Sequence, residues 1–150
     1  MHHMKNFWQA CASVFLVTLL SGAAHADTPP QEFTAALQKW QTAGIHDYSF
    51  TLNQSCFCFG IQSVRITVKG DKVQSVSNAQ NGSAVSAEVL SMQPTMTAIL
   101  QTIEAAYAKP ADHITLSLNA DLGYPERVFI DYYVMMADEE LIYEIRDFAH

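Results

Sequence analysis

The chain has 150 residues, and its 15 acidic and 8 basic side chains give a formal net charge of −7. The length suits one domain, and an apolar fraction of 49% is enough for a hydrophobic core. An acidic chain without a basic stripe repels phosphate backbones, which argues against nucleic acid as a partner.

The first 26 residues have the features of a secretory leader. Lys5 supplies a weakly basic start, residues 7–20 form an apolar run, and residues 24–26 match the Ala-x-Ala pattern of a signal-peptidase site. The apolar run is shorter than the about 20 residues of a membrane span. We therefore expect export to the periplasm or beyond. Cleavage would leave residues 27–150 as a single domain with no stable membrane anchor.

A helix and three strands are predicted after the leader. The apolar positions of the helix recur at helical spacing, at Phe33, Leu37 and Trp40. Gly44 is a stop signal for this helix. Residues 47–54 and 64–68 then alternate between apolar and polar, as strands do. Residues 69–72, Lys-Gly-Asp-Lys, predict a hairpin turn into a third, weaker strand.

A second helix and three more strands are predicted from the rest of the chain. Residues 77–91 are rich in Ser, Asn, Ala and Gly, which predicts a mobile loop with a short strand at 85–89. Pro94 and Thr95 open an amphipathic helix. The fourth, fifth and sixth strands are predicted at residues 113–118, 127–133 and 141–146.

The order helix, strand, strand, strand thus occurs twice. A shift of 66 residues places Phe33 on Ile99, and it places the first strand on the fourth. Gene duplication and coincidence both explain this match. In either case we expect an α+β fold, with an antiparallel sheet of about six strands and two helices on one face.

Cys56 and Cys58 are the two cysteines that would remain after removal of the leader. Two thiols in an oxidising compartment usually pair, but residues i and i+2 can be bridged only where the backbone bends. So small a loop gains little stability from a bridge. Three hypotheses stay open for this corner: a local disulfide, a thiol pair that binds metal, and thiol redox exchange.

Copper(I) is the metal that two thiolates with thioether or imidazole ligands would favour. No other cofactor is expected. The candidate further ligands are Met92, Met96, Met135, Met136, His46 and His113. Methionines in such positions more often fill the core, and we predict that these do so.

A contact surface is the alternative use of the same region. Phe57 and Phe59 alternate with the cysteines, and Tyr124 lies in a Gly-Tyr-Pro turn, so we assign these three aromatic residues to a possible contact surface. The acidic residues near the last hairpin are interpreted as a solvated rim. Because no Ser-His-Asp order is present, the sequence does not favour an enzyme.

Several short stretches together carry a family resemblance over nearly all of residues 27–150. They are Trp40, Tyr48-Ser-Phe, Cys56-Phe-Cys58, residues 64–70, Gly123-Tyr124-Pro125, Ile130-Asp131, and the end of the chain from Asp138-Glu139 to Asp147-Phe148. In these the chain resembles the domain-of-unknown-function family numbered 6174, which comprises bacterial secreted and lipoprotein domains. The resemblance implies export and one small α+β domain, and it brings no established activity. This leader lacks the cysteine that lipid-anchored relatives modify.

The functional expectation is an exported binding or interaction module for an unknown protein or small-molecule partner, with a local disulfide at its Cys-x-Cys corner. The alternatives are a periplasmic copper-binding protein and a thiol redox protein, each using Cys56 and Cys58.

Overall fold

The computed structural model describes residues 29–55, 63–109, 111–136 and 139–150. These residues form three helices and six strands. In chain order they are α1 (Gln31–Ala43), β1 (Tyr48–Ser55), β2 (Ser63–Lys69), β3 (Lys72–Asn78), α2 (Ala87–Met92), α3 (Met96–Ala108), β4 (His113–Leu118), β5 (Pro125–Asp131) and β6 (Leu141–Ala149).

All six strands belong to one sheet, in the order β3-β2-β1-β6-β5-β4. Every neighbouring pair is antiparallel. Each half of the chain contributes three adjacent strands, and the halves meet where β1 pairs with β6. The predicted α+β fold is confirmed, and the order of one long helix followed by three strands does occur twice.

One face of the sheet is buried beneath α1 and α3. Along β1, Tyr48, Phe50 and Leu52 are at most 4% exposed, whereas the residues between them are half-buried. The ring of Trp40 in α1 lies 5.5 Å from that of Tyr48. The backbone N–H of Met96, at the start of α3, donates to the Tyr48 hydroxyl at 2.9 Å. Because both helices contact Tyr48, they cover the same face, as predicted.

The predicted stop and start signals act where the sequence placed them. Gly44 adopts the left-handed conformation at the end of α1, with φ of 59°. The Thr95 side chain caps α3 by accepting from the N–H of Ala98 at 3.2 Å. Gly70 and Asp71 both have positive φ, as a two-residue type I′ hairpin turn requires.

The prediction for residues 77–91 was wrong in part. The segment continues β3 to Asn78, forms an isolated bridge between Ser77 and Ala84, and then forms α2 where a short strand was predicted. The Ser86 side chain caps α2 by accepting from the N–H of Val89, and Leu90 packs against the core. A six-residue helix with a good cap forms without a long apolar period. The apolar pattern of the sequence therefore did not predict α2.

The fifth and sixth strands also differ from their predicted bounds. β5 ends at Asp131, two residues earlier than predicted, and β6 continues to Ala149. The extension contains a bulge, because one extra residue of β6 lies opposite the segment between Ser49 and Thr51 of β1.

Candidate functional site

The cysteine corner and its two phenylalanines lie outside the described residues, between β1 and β2. The ends of the two strands on either side are described. Ser55, the last residue of β1, pairs with Ile142 near the start of β6. Ser55, the last described residue before Cys56, therefore lies at the end of the sheet where the chain enters β6 from β5.

Tyr124, the third predicted contact residue, does not lie near the end of β1 that precedes the cysteines. It directly precedes β5 and stacks on Phe148 of β6, with ring centroids 4.4 Å apart. Phe148 lies near the end of β6, so Tyr124 is at the opposite end of the sheet from Ser55. The described residues do not bring Tyr124 together with the ends of the cysteine segment.

The turn after β5 carries the most exposed apolar side chains of the described residues. We call residues 133–136 the apolar turn. Tyr133 is 59% exposed, Val134 65%, Met135 97% and Met136 57%. Met92 is the one other large apolar side chain of comparable exposure in the described part of the chain. Four such residues in succession are uncommon on a protein surface that has no partner.

Hydrogen bonds hold the backbone of the apolar turn in place. The N–H of Met136 donates to the carbonyl of Tyr133 at 2.7 Å, which closes the turn. The N–H of Tyr133 donates to Asp131 Oδ1, and the N–H of Val134 donates to Asp112 Oδ2, each at 3.0 Å. The exposed side chains of the turn therefore project from a backbone whose conformation is fixed by hydrogen bonds.

Carboxylates surround the base of this turn. Partial burial raises the pKa of Glu139, and the negative charges of Asp131, Glu140 and Asp112 raise it further. Burial is the larger cause, and the like charges of the three neighbouring carboxylates add to it. The apolar turn thus projects from an acidic base.

The prediction that the methionines fill the core was right for one and wrong for three. Met96 is fully buried. Met92, Met135 and Met136 are exposed. Residues 132–136 are apolar without the alternation of a strand or the spacing of a helix, which indicates an irregular segment but does not show whether it is exposed.

The charged side chains on the open face of the sheet are paired with neighbouring polar or charged groups. Arg65 on β2 donates to Ser49 Oγ and to the carbonyl of Asp147, each at 2.8 Å. A hydrogen bond from Arg127 lowers the pKa of Glu144, which also pairs with Arg146 at 2.9 Å. These contacts tie neighbouring strands together, so we assign them a structural role.

A groove of about 500 Å³ runs between α1 and α3. At its rim, His46 Nδ1 lies 2.7 Å from Asp71 Oδ2, and both side chains are more than half exposed. His46 and His113, two of the candidate ligands, lie on different elements, since His113 begins β4. Within the described residues, no three His, Cys, Asp or Glu side chains are grouped to hold a metal ion. Nor, in that part of the chain, is any helix both long and apolar enough to cross a membrane.

Comparison with known proteins gives one finding. A family model described as "Family of unknown function (DUF6174)" matches residues 32–150, which include every helix and strand of the structure except the first residue of α1. No curated protein and no solved structure matches the chain. Because the match covers most of its length, the chain belongs to this DUF6174 family of unknown function.

Proposed function

We propose that this protein is a binding module that presents the apolar turn to another protein. The observation that carries the proposal is the exposure of four successive apolar side chains, of which Met135 is 97% exposed. Contact between apolar surface and water is unfavourable, and the fold does not bury these four side chains in its core. A partner that covered these side chains would recover that free energy.

The rigidity of the turn supports the same function. Asp131 and Asp112 each accept a hydrogen bond from its backbone. A loop that is already held in one conformation loses little entropy when it binds, so more of its contact energy appears as affinity. Methionine side chains add a flexible surface that adapts to a pocket.

The acidic base of the turn indicates the chemistry of the partner. Asp131, Glu139 and Glu140 follow or flank the apolar residues, and Asp112 lies beneath them. A partner with an apolar pocket rimmed by Lys or Arg would complement both features. The predicted contact residues Phe57 and Phe59 follow shortly after Ser55, which lies at this same end of the sheet, and we propose that they extend the surface.

Capture of a partner from a periplasmic extract tests this proposal. The immobilised protein is compared with a Val134→Lys/Met135→Lys variant and with Met92→Lys as the matched control. All of these side chains are exposed, so each variant should unfold within about 0.5 kcal/mol of the wild type. We expect the same bound protein on the wild type and on Met92→Lys, and its loss from the double variant.

Two results would contradict the proposal. One is equal capture by the double variant. The other is a loss of more than about 1 kcal/mol of unfolding free energy in that variant, which would show that the turn stabilises the fold.

A second proposal is a soft-metal or thiol-redox function at Cys56 and Cys58. What favours it is that the exposed thioethers of Met135 and Met136 lie at the same sheet end as Ser55, the last described residue before Cys56. Thiolate and thioether ligands together suit copper(I). The local disulfide remains our first expectation for the two thiols.

Mass spectrometry of exported protein, with and without reductant and alkylating agent, separates these states. A bridged pair gains two alkyl groups only after reduction. Free thiols with bound copper, together with weaker copper binding in a Met135→Leu/Met136→Leu variant, would support the copper proposal. Free thiols without metal would leave a reactive pair and contradict the disulfide.

A further inference from the structure

The two edges of the sheet are protected to very different degrees. β3 forms one edge, and the chain covers it by the bridge between Ser77 and Ala84 and by packing of α2. β3 also contains an extra residue, Gln74, where its register with β2 shifts. Cover and bulges are both devices that keep an edge strand from pairing with other chains.

β4, the opposite edge, has none of these devices in the part of the chain that the structure describes. Its six residues include no charged Lys, Asp or Glu and no proline. The register shift against β5 arises from an extra residue on β5, Glu126, so β4 itself is regular. A regular and uncharged edge strand is a template for another strand.

A groove of about 260 Å³ lies beside β4, where α1 begins. Its lining combines the apolar residues Pro30, Phe33, Tyr107, Ile114, Leu116 and Leu118 with the polar residues Glu32 and Thr115. The three residues from β4 are half-buried, while His113, Thr115 and Ser117 on the open face are exposed. The edge therefore offers the outward backbone groups of β4 together with an adjacent groove that contains apolar side chains.

We propose that β4 pairs antiparallel with β4 of a second copy, which joins the two sheets into one. This inference does not depend on the proposed function. Leu116 would lie opposite Leu116, and Ile114 opposite Leu118, so that the apolar faces of the two strands coincide. A shift by one residue would place leucine opposite serine or threonine and lose this match.

The hydrogen-bonding groups near the strand ends are complementary in this register. His113 would lie opposite Asn119 of the second copy. The side-chain amide of Asn119 donates a hydrogen bond to Glu126 Oε1 at 3.1 Å. An imidazole therefore approaches a carboxylate at both ends of the interface. The two-fold axis is perpendicular to the sheet, so the grooves of the two copies lie on the same side and adjoin. One strand and one groove form a small interface, which predicts a dimer that depends on concentration.

Sedimentation velocity of the purified protein, from micromolar to millimolar concentration, tests this pairing. Reductant is present throughout, so that Cys56 and Cys58 cannot join copies covalently. Thr115 lies opposite Ser117 of the second copy in the proposed register. A Thr115→Lys/Ser117→Lys variant therefore places like charges across the interface, and a Thr115→Lys/Ser117→Glu variant places opposite charges there. Ser75→Lys, on the open face of β3, is the matched control.

We expect the wild type, the control and the Lys/Glu variant to dimerise, and the Lys/Lys variant to remain monomeric. All four should show the same circular dichroism, because both altered side chains are exposed. A wild type that stays monomeric overturns the proposal, as does a Lys/Lys variant that still dimerises. Loss of the dimer in both charged variants overturns the proposed register.

Discussion

Gly123 allows the turn before β5 to touch the backbone of α1. A Cβ atom at this position would lie 2.0 Å from the carbonyl oxygen of Ala36, and φ is +78°. Only a residue without a side chain fits both restrictions. This contact explains why a glycine stands in the Gly-Tyr-Pro stretch that carries the family resemblance.

Gly123→Ala should therefore lower the unfolding free energy by more than the cost of a positive φ for alanine alone. An alanine in the left-handed region costs about 1–2 kcal/mol, and displacement of α1 adds to that. Gly82→Ala is the matched control, because φ is +71° there but no atom lies within 4 Å of the added Cβ. Urea unfolding of both variants measures the difference. Equal losses would show that the approach to Ala36 has no energetic consequence.

The Tyr48 hydroxyl is a buried partner for the start of α3. Burial raises the pKa of Tyr48. Tyr48→Phe would leave the N–H of Met96 without its acceptor, which should cost about 1–3 kcal/mol of unfolding free energy. Tyr133→Phe removes a hydroxyl from an exposed ring and should be neutral within about 0.5 kcal/mol.

The raised pKa of Tyr48 also predicts a pH dependence. The folded-state pKa exceeds that of the unfolded chain, which is near 10. The stabilisation by the buried, protonated Tyr48 is therefore complete below about pH 10 and is lost as the pH rises further. Unfolding free energy should therefore fall less steeply in alkali for Tyr48→Phe than for the wild type. Identical slopes would exclude an ionisation cost at Tyr48.

At the level of the strand, a single inserted residue in β6 decides which face receives Phe148. Asp147 has φ of 50°, and its side chain accepts from the Thr51 hydroxyl at 3.0 Å. The insertion restores Phe148 to the buried face, where its ring lies 5.9 Å from Trp40 and 5.6 Å from Tyr48. Strict alternation from Ile145 would have directed Phe148 to the open face.

Substitutions at Asp147 test this bulge. Asp147→Val should destabilise by about 2 kcal/mol or more, because a β-branched residue is strained at positive φ. Asp147→Asn keeps both the tolerance for this conformation and an acceptor for Thr51, so it should stay close to the wild type. Denaturant unfolding gives the energies, and the near-ultraviolet circular dichroism of Trp40 reports the position of Phe148. Comparable stability of the two variants would mean that the bulge is not constrained.

For the whole molecule, the first prediction concerns the length of the chain after export. The apolar run and the Ala-His-Ala stretch of the leader predict a mature protein that begins at Asp27. Removal of the leader would leave 15 acidic and 7 basic residues. N-terminal sequencing and intact mass of protein from the periplasm measure this. An N-terminus at Met1, or a lipid on a cysteine, would contradict the prediction.

Local sequence patterns predicted several strands and helix ends of this fold. Apolar alternation identified β1, β2 and β4, Gly70 and Asp71 identified the hairpin, and Gly44 and Thr95 marked helix ends. These signals depend on conformational preferences of a few adjacent residues, so they are present in the sequence itself. The α+β class followed from the same patterns, and the family followed from the resemblance of short stretches such as Gly123-Tyr124-Pro125.

Packing between distant residues decided the rest. The pairing of β1 with β6, the contact of Gly123 with Ala36 and the return of Phe148 to the core each join residues more than 80 positions apart. The exposure of the apolar turn was equally hidden, because a methionine has the same side chain whether or not a neighbour covers it. Whether a neighbour exists is fixed only when β5 ends at Asp131 and the chain turns away from the core, which no local preference encodes.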